Sequence, residues 1–110
     1  MIIYVDIDDT ICKSPENVNL EEKYKSAMPI EENIKKINKL FDNGHKIIYW
    51  TARGTLSNIN FFELTYNQLK SWGVKFHELR MGKPAFDLLI DDKTFNITNP
   101  DIFDKLINQI

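Results

Sequence analysis

Three carboxylates fall within four positions in Asp6-Ile7-Asp8-Asp9, immediately after the apolar run Ile2-Ile3-Tyr4-Val5. A second acidic pair, Asp91-Asp92, follows Leu88-Leu89-Ile90, and Thr51 follows Ile47-Ile48-Tyr49-Trp50. Carboxylates gathered at one place repel each other, and their pKa values climb unless a cation compensates. A set with only oxygen ligands favours Mg²⁺, which binds through one or two carboxylates, keeps waters and takes oxygens from a substrate phosphate. A phosphate held there needs donors. The chain offers Thr51, Lys83 in a Met-Gly-Lys-Pro turn, and Arg53 and Arg80 close by.

Chemistry of this kind requires elements that bring distant positions together. The run Ile2 to Val5 has no polar alternation, which suits a strand covered on both faces. Ser14 to Met28 is polar and irregular. Pro29 then introduces a helix with Glu31 and Glu32 in its first turn, apolar residues at Ile30, Ile34, Ile37, Leu40 and Phe41, and Gly44 as its stop. Lys46 to Trp50 reads as a second strand, Leu56 to Trp72 as a helix closed by Gly73, Val74 to His77 as a third strand, Asp87 to Ile90 as a fourth, and Asp101 to Ile110 as a last helix. This alternation predicts an α/β fold: a mostly parallel sheet with helices on both faces, joined by right-handed crossovers. Ligands of such sheets bind outside the carboxyl ends of the strands, where Asp6, Asp8, Thr51, Asp91 and Asp92 all fall.

Composition sets the outer bounds. A chain of 110 residues is expected to form a single domain, 1–110. With 14 basic and 16 acidic residues and a net charge of −2 it lacks the basic footprint of a protein that holds nucleic acid by its phosphates. Cys12 stands alone and has no internal disulfide partner. Acids interrupt residues 1–15, where a signal peptide needs an apolar stretch, so a cytoplasmic location is expected. No apolar run approaches the roughly 20 residues that span a bilayer, so no membrane partner is expected.

The sequence resembles the haloacid dehalogenase-like phosphatases, whose four motifs occur here in order. Asp6-Ile7-Asp8-Asp9-Thr10 looks like the first, DxDx[TV]; Thr51 looks like the second, Lys83 the third and Asp91-Asp92 the fourth. The resemblance implies a three-layer α/β/α Rossmann-like core and an enzyme that hydrolyses phosphomonoesters through an aspartyl-phosphate. Asp6 would be the nucleophile and Asp8 the general acid and base. Mg²⁺ would be held by Asp6, the Asp8 main-chain carbonyl, Asp91 and Asp92, while Thr51 and Lys83 would hold the transferring phosphoryl oxygens. Neither interval where this superfamily inserts a cap domain has room for one; residues 13–29 suffice only for a flap. The open site implied suits a large substrate or a homo-oligomer whose neighbouring subunit covers it. YKSAMP, IIYWTAR, GVKFHELRMGKP and FDLLIDDK look similar to small capless phosphatases of capsule and surface-polysaccharide biosynthesis, which implies a sugar phosphate or another small phosphomonoester.

Plainer readings stand beside these. Asp9 is a turn residue, and Arg53 and Arg80 serve salt bridges as readily as substrate. Tyr24 packs the flap, and His45, His77 and Cys12 are structural. Trp50, Phe61, Phe62, Trp72 and Phe76 form the core. Two rival functions are a polynucleotide 3′-phosphatase, disfavoured by the acidic balance, and a phosphorylation-receiver or binding domain. A receiver carries its phosphoacceptor after the third strand, whereas here the DxD comes first and the second acidic pair last.

Overall fold

The computed structural model describes residues 1–110. In chain order the elements are β1 (Ile2–Val5), β2 (Cys12–Lys13), α1 (Leu20–Lys25), β3 (Met28–Pro29), α2 (Glu31–Asp42), β4 (Lys46–Trp50), α3 (Phe62–Ser71), β5 (Glu78–Arg80) and α4 (Pro100–Gln109). β-branched and aromatic side chains fill β1 and most of β4, and these strands pair in parallel with Ile2 opposite Lys46 and Val5 opposite Tyr49. On its other side β4 pairs in parallel with β5, Ile48 opposite Glu78. The main sheet is therefore parallel throughout, in the order β1-β4-β5.

That order decides where the helices go. The connections through α2 and α3 both step the same way across the sheet, and right-handed crossovers then place both helices on one face. Val5, Ile47 and Tyr49 meet Ile34, Ile37 and Leu40 of α2, Leu69 of α3, and Phe103 and Ile107 of α4 in one buried cluster. An ion pair between Lys36 and Asp104, 2.6 Å, ties α4 to α2. The alternate residues Ile2 and Tyr4 are 67% and 47% exposed. The three-layer arrangement expected from the sequence is thus corrected to two layers, with the long helices on a single face.

Three further expectations are revised. The third strand forms at Glu78–Arg80 rather than Val74–His77, because Val74 N–H caps α3 by donating to the Leu69 carbonyl (3.0 Å). In addition, the His77 ring Nδ1, not a backbone carbonyl, accepts from Ile47 N–H (3.0 Å). Helix α3 starts at Phe62, where the Asn60 side chain accepts the Phe62 N–H (2.9 Å), and not at Leu56. The run Asp87-Leu88-Leu89-Ile90 forms no strand, and Leu88 and Ile90 are 75% and 89% exposed. A parallel partner for β1 needs a crossover of about a dozen residues or more, and only residues 81–86 separate this run from β5.

Around the first turn, β2 pairs antiparallel with β3, Cys12 opposite Pro29. The segment between them carries α1, capped by the Asn19 side chain on Glu22 N–H (2.9 Å). This is the flap expected over 13–29. No helix is long and apolar enough to cross a membrane.

Candidate functional site

The parallel register puts the residues after β1, β4 and β5 at one edge of the sheet. Asp6 leaves β1 beside Thr51 at the end of β4, and the loop after β5 brings Lys83 to both. Lys83 Nζ lies 3.3 Å from Asp6 Oδ1. Thr51 is clamped from two sides, its N–H donating to the Arg80 carbonyl (3.0 Å) and its carbonyl accepting from Lys83 N–H (3.1 Å). The Thr55 hydroxyl donates to the Lys83 carbonyl (2.8 Å). The Lys83 ammonium sits over the rings of Trp50 and Phe86, 5.9 and 5.5 Å from their centroids. A carboxylate, a buried threonine and a lysine therefore share one corner.

The Asp8 carboxylate has a different partner. It takes a forked pair of bonds from Arg53, Nε to Oδ2 at 3.0 Å and Nη2 to Oδ1 at 2.9 Å. The Arg53 side chain is fully buried while Asp8 keeps 28% exposure. Burial would lower the Arg53 pKa, but the pair with Asp8 outweighs it and raises it. Thr65 and Gln68 of α3 accept from Arg53 Nη1 at 3.1 and 2.6 Å, and the Tyr24 ring lies 4.7 Å beneath the guanidinium. Thr65 and Gln68 were not singled out by the sequence; the only signal is a pair of polar residues spaced three apart on a helix.

Two substrate-binding expectations are accordingly corrected. The Arg53 side chain is fully buried and bonded within the protein, although the residue borders the cleft beside Gly54. Arg80 lies on the uncovered face of the sheet, where it donates to Glu78 (3.0 Å) and to the Tyr4 hydroxyl. Of the structural readings, the aromatic set is corrected, since Phe61 is buried but Phe62 is 42% exposed and Trp50, Trp72 and Phe76 are half-buried; Asp9 takes a left-handed turn conformation with φ 63°, and Tyr24 packs edge-on against Phe61 at 4.9 Å. His77 stacks on Phe41 at 4.6 Å, His45 Nε2 lies 2.8 Å from the Ile110 carbonyl, and Cys12 is buried.

The acids expected to hold Mg²⁺ do not come together: no group of three or more His, Cys, Asp or Glu side chains is placed to share an ion. Asp91 and Asp92 are exposed in the segment outside the sheet. Asp91 accepts from Lys93 N–H (2.9 Å), a bond that, together with one to Asp92, holds its carboxyl below the usual range. With the Asp8 side chain committed to Arg53, Asp6 is the acid this edge leaves for a cation. The residues as placed do not make the four-acid site.

A cleft of about 420 Å³ opens between the loops after β4 and β5, lined by Gly54, Thr55, Asn58, Ile59, Met81 and Gly82 among others. A larger groove of about 710 Å³ runs along α2 to Trp72 and Lys75 and contains none of the site residues. The smaller one borders Thr55 and Gly82, which adjoin Lys83, but neither cavity is lined by Asp6, Asp8, Thr51 or Lys83.

No family model matches the chain, and no curated protein matches it. Among solved structures it is similar to the crystal structure of an MCSG target from Vibrio cholerae, at 21% identity and a TM-score of 0.74, over 98% of this chain and 97% of that one. At this identity the likeness is one of fold.

Proposed function

We propose that the protein is a hydrolase of small phosphomonoesters, of the haloacid dehalogenase-like type, and that Asp6 is its nucleophile. The observation that carries the reading is the contact of Lys83 Nζ with Asp6 Oδ1 at 3.3 Å, beside the clamped Thr51. This contact joins three of the four motif positions at the carboxyl edge of a parallel sheet, where ligands of such sheets bind. Lys83 would lower the repulsion between an anionic nucleophile and an anionic substrate, and with Thr51 would hold the phosphoryl oxygens.

In the first step an Asp6 oxygen bonds to phosphorus as the bond from phosphorus to the leaving oxygen breaks, and that oxygen takes a proton from Asp8. In the second, water bonds to phosphorus and gives its proton to Asp8 as the Asp6–phosphorus bond breaks. The cleft lined by Thr55 and Asn58 has polar and apolar walls suited to a sugar phosphate.

Phosphate release from a panel of sugar phosphates, 4-nitrophenyl phosphate and a 3′-phosphorylated oligonucleotide, with and without Mg²⁺, tests the proposal. Release from a sugar phosphate that disappears in Asp6→Asn is the expected result. Turnover surviving in Asp6→Asn would refute the nucleophile, and no release from any substrate would refute the function. Asp8→Asn must be read beside its own unfolding curve. It leaves the buried Arg53 charge without its partner, a loss worth about 3–5 kcal/mol for buried pairs.

A further inference from the structure

Arg53 is the most heavily committed side chain in the molecule. Its five guanidinium N–H groups all have acceptors: Asp8 twice, Thr65, Gln68, and the Cys12 sulfur at 3.8 Å. Its main-chain N–H donates to the Thr51 hydroxyl oxygen at 3.1 Å. Apolar residues of similar volume often fill such a place with equal or greater stability, so stability gives no reason for a charge at this depth. Orientation does. A planar fork fixes a carboxylate plane in a way that a single ammonium cannot.

The remaining contacts show what Arg53 holds Asp8 against. Gln68 accepts from Arg53 with its oxygen and donates from Nε2 to the Tyr24 carbonyl at 2.6 Å, while the Tyr24 ring packs under the guanidinium. Flap helix α1, helix α3 and the turn after β1 therefore meet at one side chain. That turn is itself fixed, with Ile11 N–H on the Ile7 carbonyl and Asp9 N–H on the Cys12 carbonyl, both at 2.9 Å. A carboxylate has about four acceptor sites. Arg53 takes one on each oxygen and the Cys12 thiol donates to Oδ1 at 3.5 Å, which leaves Oδ2 with one unused acceptor position.

We propose that Arg53 is a positioning residue for Asp8: without touching substrate, it sets the direction in which Asp8 Oδ2 gives and takes a proton, and it ties that direction to the flap through Gln68 and Tyr24. The inference rests on the hydrolase reading above. Its consequence is a selective one. An alkyl leaving oxygen must be protonated as its bond to phosphorus breaks, whereas 4-nitrophenolate departs without that proton. A misdirected Asp8 therefore impairs the first substrate more than the second.

The test compares kcat and KM for a primary alkyl phosphate and for 4-nitrophenyl phosphate in wild type, Arg53→Lys and Arg53→Gln. With Arg53→Gln, kcat for the alkyl phosphate should fall about 100-fold, at least about tenfold more than for the nitrophenyl ester, with KM little changed; Arg53→Lys should recover part of the difference. Gln68→Ala and Tyr24→Leu touch Arg53 but not Asp8 and should show the same selectivity more weakly. They carry the test if circular dichroism shows the Arg53 variants unfolded. Equal losses on both substrates in folded variants, or no loss on either, would overturn the positioning role while leaving the hydrolase reading standing. Wild type inert toward both substrates would overturn the hydrolase reading and this inference with it.

Discussion

Asp6 and Asp8 stand two positions apart yet meet opposite surroundings: Asp6 faces an accessible lysine and Asp8 a buried arginine. The same buried polar group acts on Cys12. Burial, and after it the Asp8 carboxylate, pushes the Cys12 thiol from its ordinary 9.0 up to about 12. Burial also raises the Tyr49 phenol. The unfolded chain surrenders the thiol proton near pH 9 while the folded protein keeps it to about 12, so the stability this provides is intact below pH 9 and drains away as pH climbs toward 12. Denaturant midpoints measured from pH 8 to 11 should fall, and fall less steeply in Cys12→Ala, whose starting stability is lower. Parallel slopes in the two proteins would show that the thiol does not titrate with unfolding. At this scale the sequence exposed Asp6, Thr51 and Lys83 because each follows a run of strand formers or sits in a Gly-Pro turn. It left Arg53 divided between salt bridge and substrate, since a letter carries charge but not depth: the partners that bury Arg53 lie 12, 15 and 45 positions away.

At the scale of elements, the segment after β5 separates what the sequence showed from what it did not. Strands β1 and β4 and helix α2 were legible because their patterns are self-contained: unbroken apolar runs in the strands, and a 3.6-residue repeat between Pro29 and Gly44 in the helix. Helix α1 was missed because it buries no residue and has no apolar stripe. The run Asp87 to Ile90 has strand composition, but strand formation also needs a neighbour with free hydrogen-bonding groups, which composition cannot supply. From Phe86 to Asp91 no main-chain N–H has an acceptor within the protein. Amide hydrogen exchange should therefore be fast over 86–91 and slow in β4, by several orders of magnitude. Adding Mg²⁺ with inorganic phosphate extends the measurement to the metal. Unchanged exchange keeps Asp91 and Asp92 out of the ion's shell, and slowed exchange at 88–91 would restore them as ligands beside Asp6.

For the whole molecule, helices on only one face leave the sheet with an uncovered side. Ile2 and Tyr4 are exposed there, Trp50 packs edge-on to Tyr4 at 5.7 Å, and Lys46, Glu78 and Arg80 pair among themselves around them. Strand β1 is also one of the two edges of the sheet, and Leu88, Leu89 and Ile90 add a second exposed apolar run. Apolar surface of this kind on a chain carrying a net charge of only −2 favours association, since little electrostatic repulsion opposes it. Sedimentation velocity should show a mean mass that rises with protein concentration. Tyr4→Lys combined with Ile90→Lys should shift the distribution toward the single chain, because a desolvated lysine on each patch opposes its burial. A wild-type protein that sediments as one chain at every concentration would remove self-association from the picture, and with it the neighbouring subunit that would cover the corner where Lys83 meets Asp6.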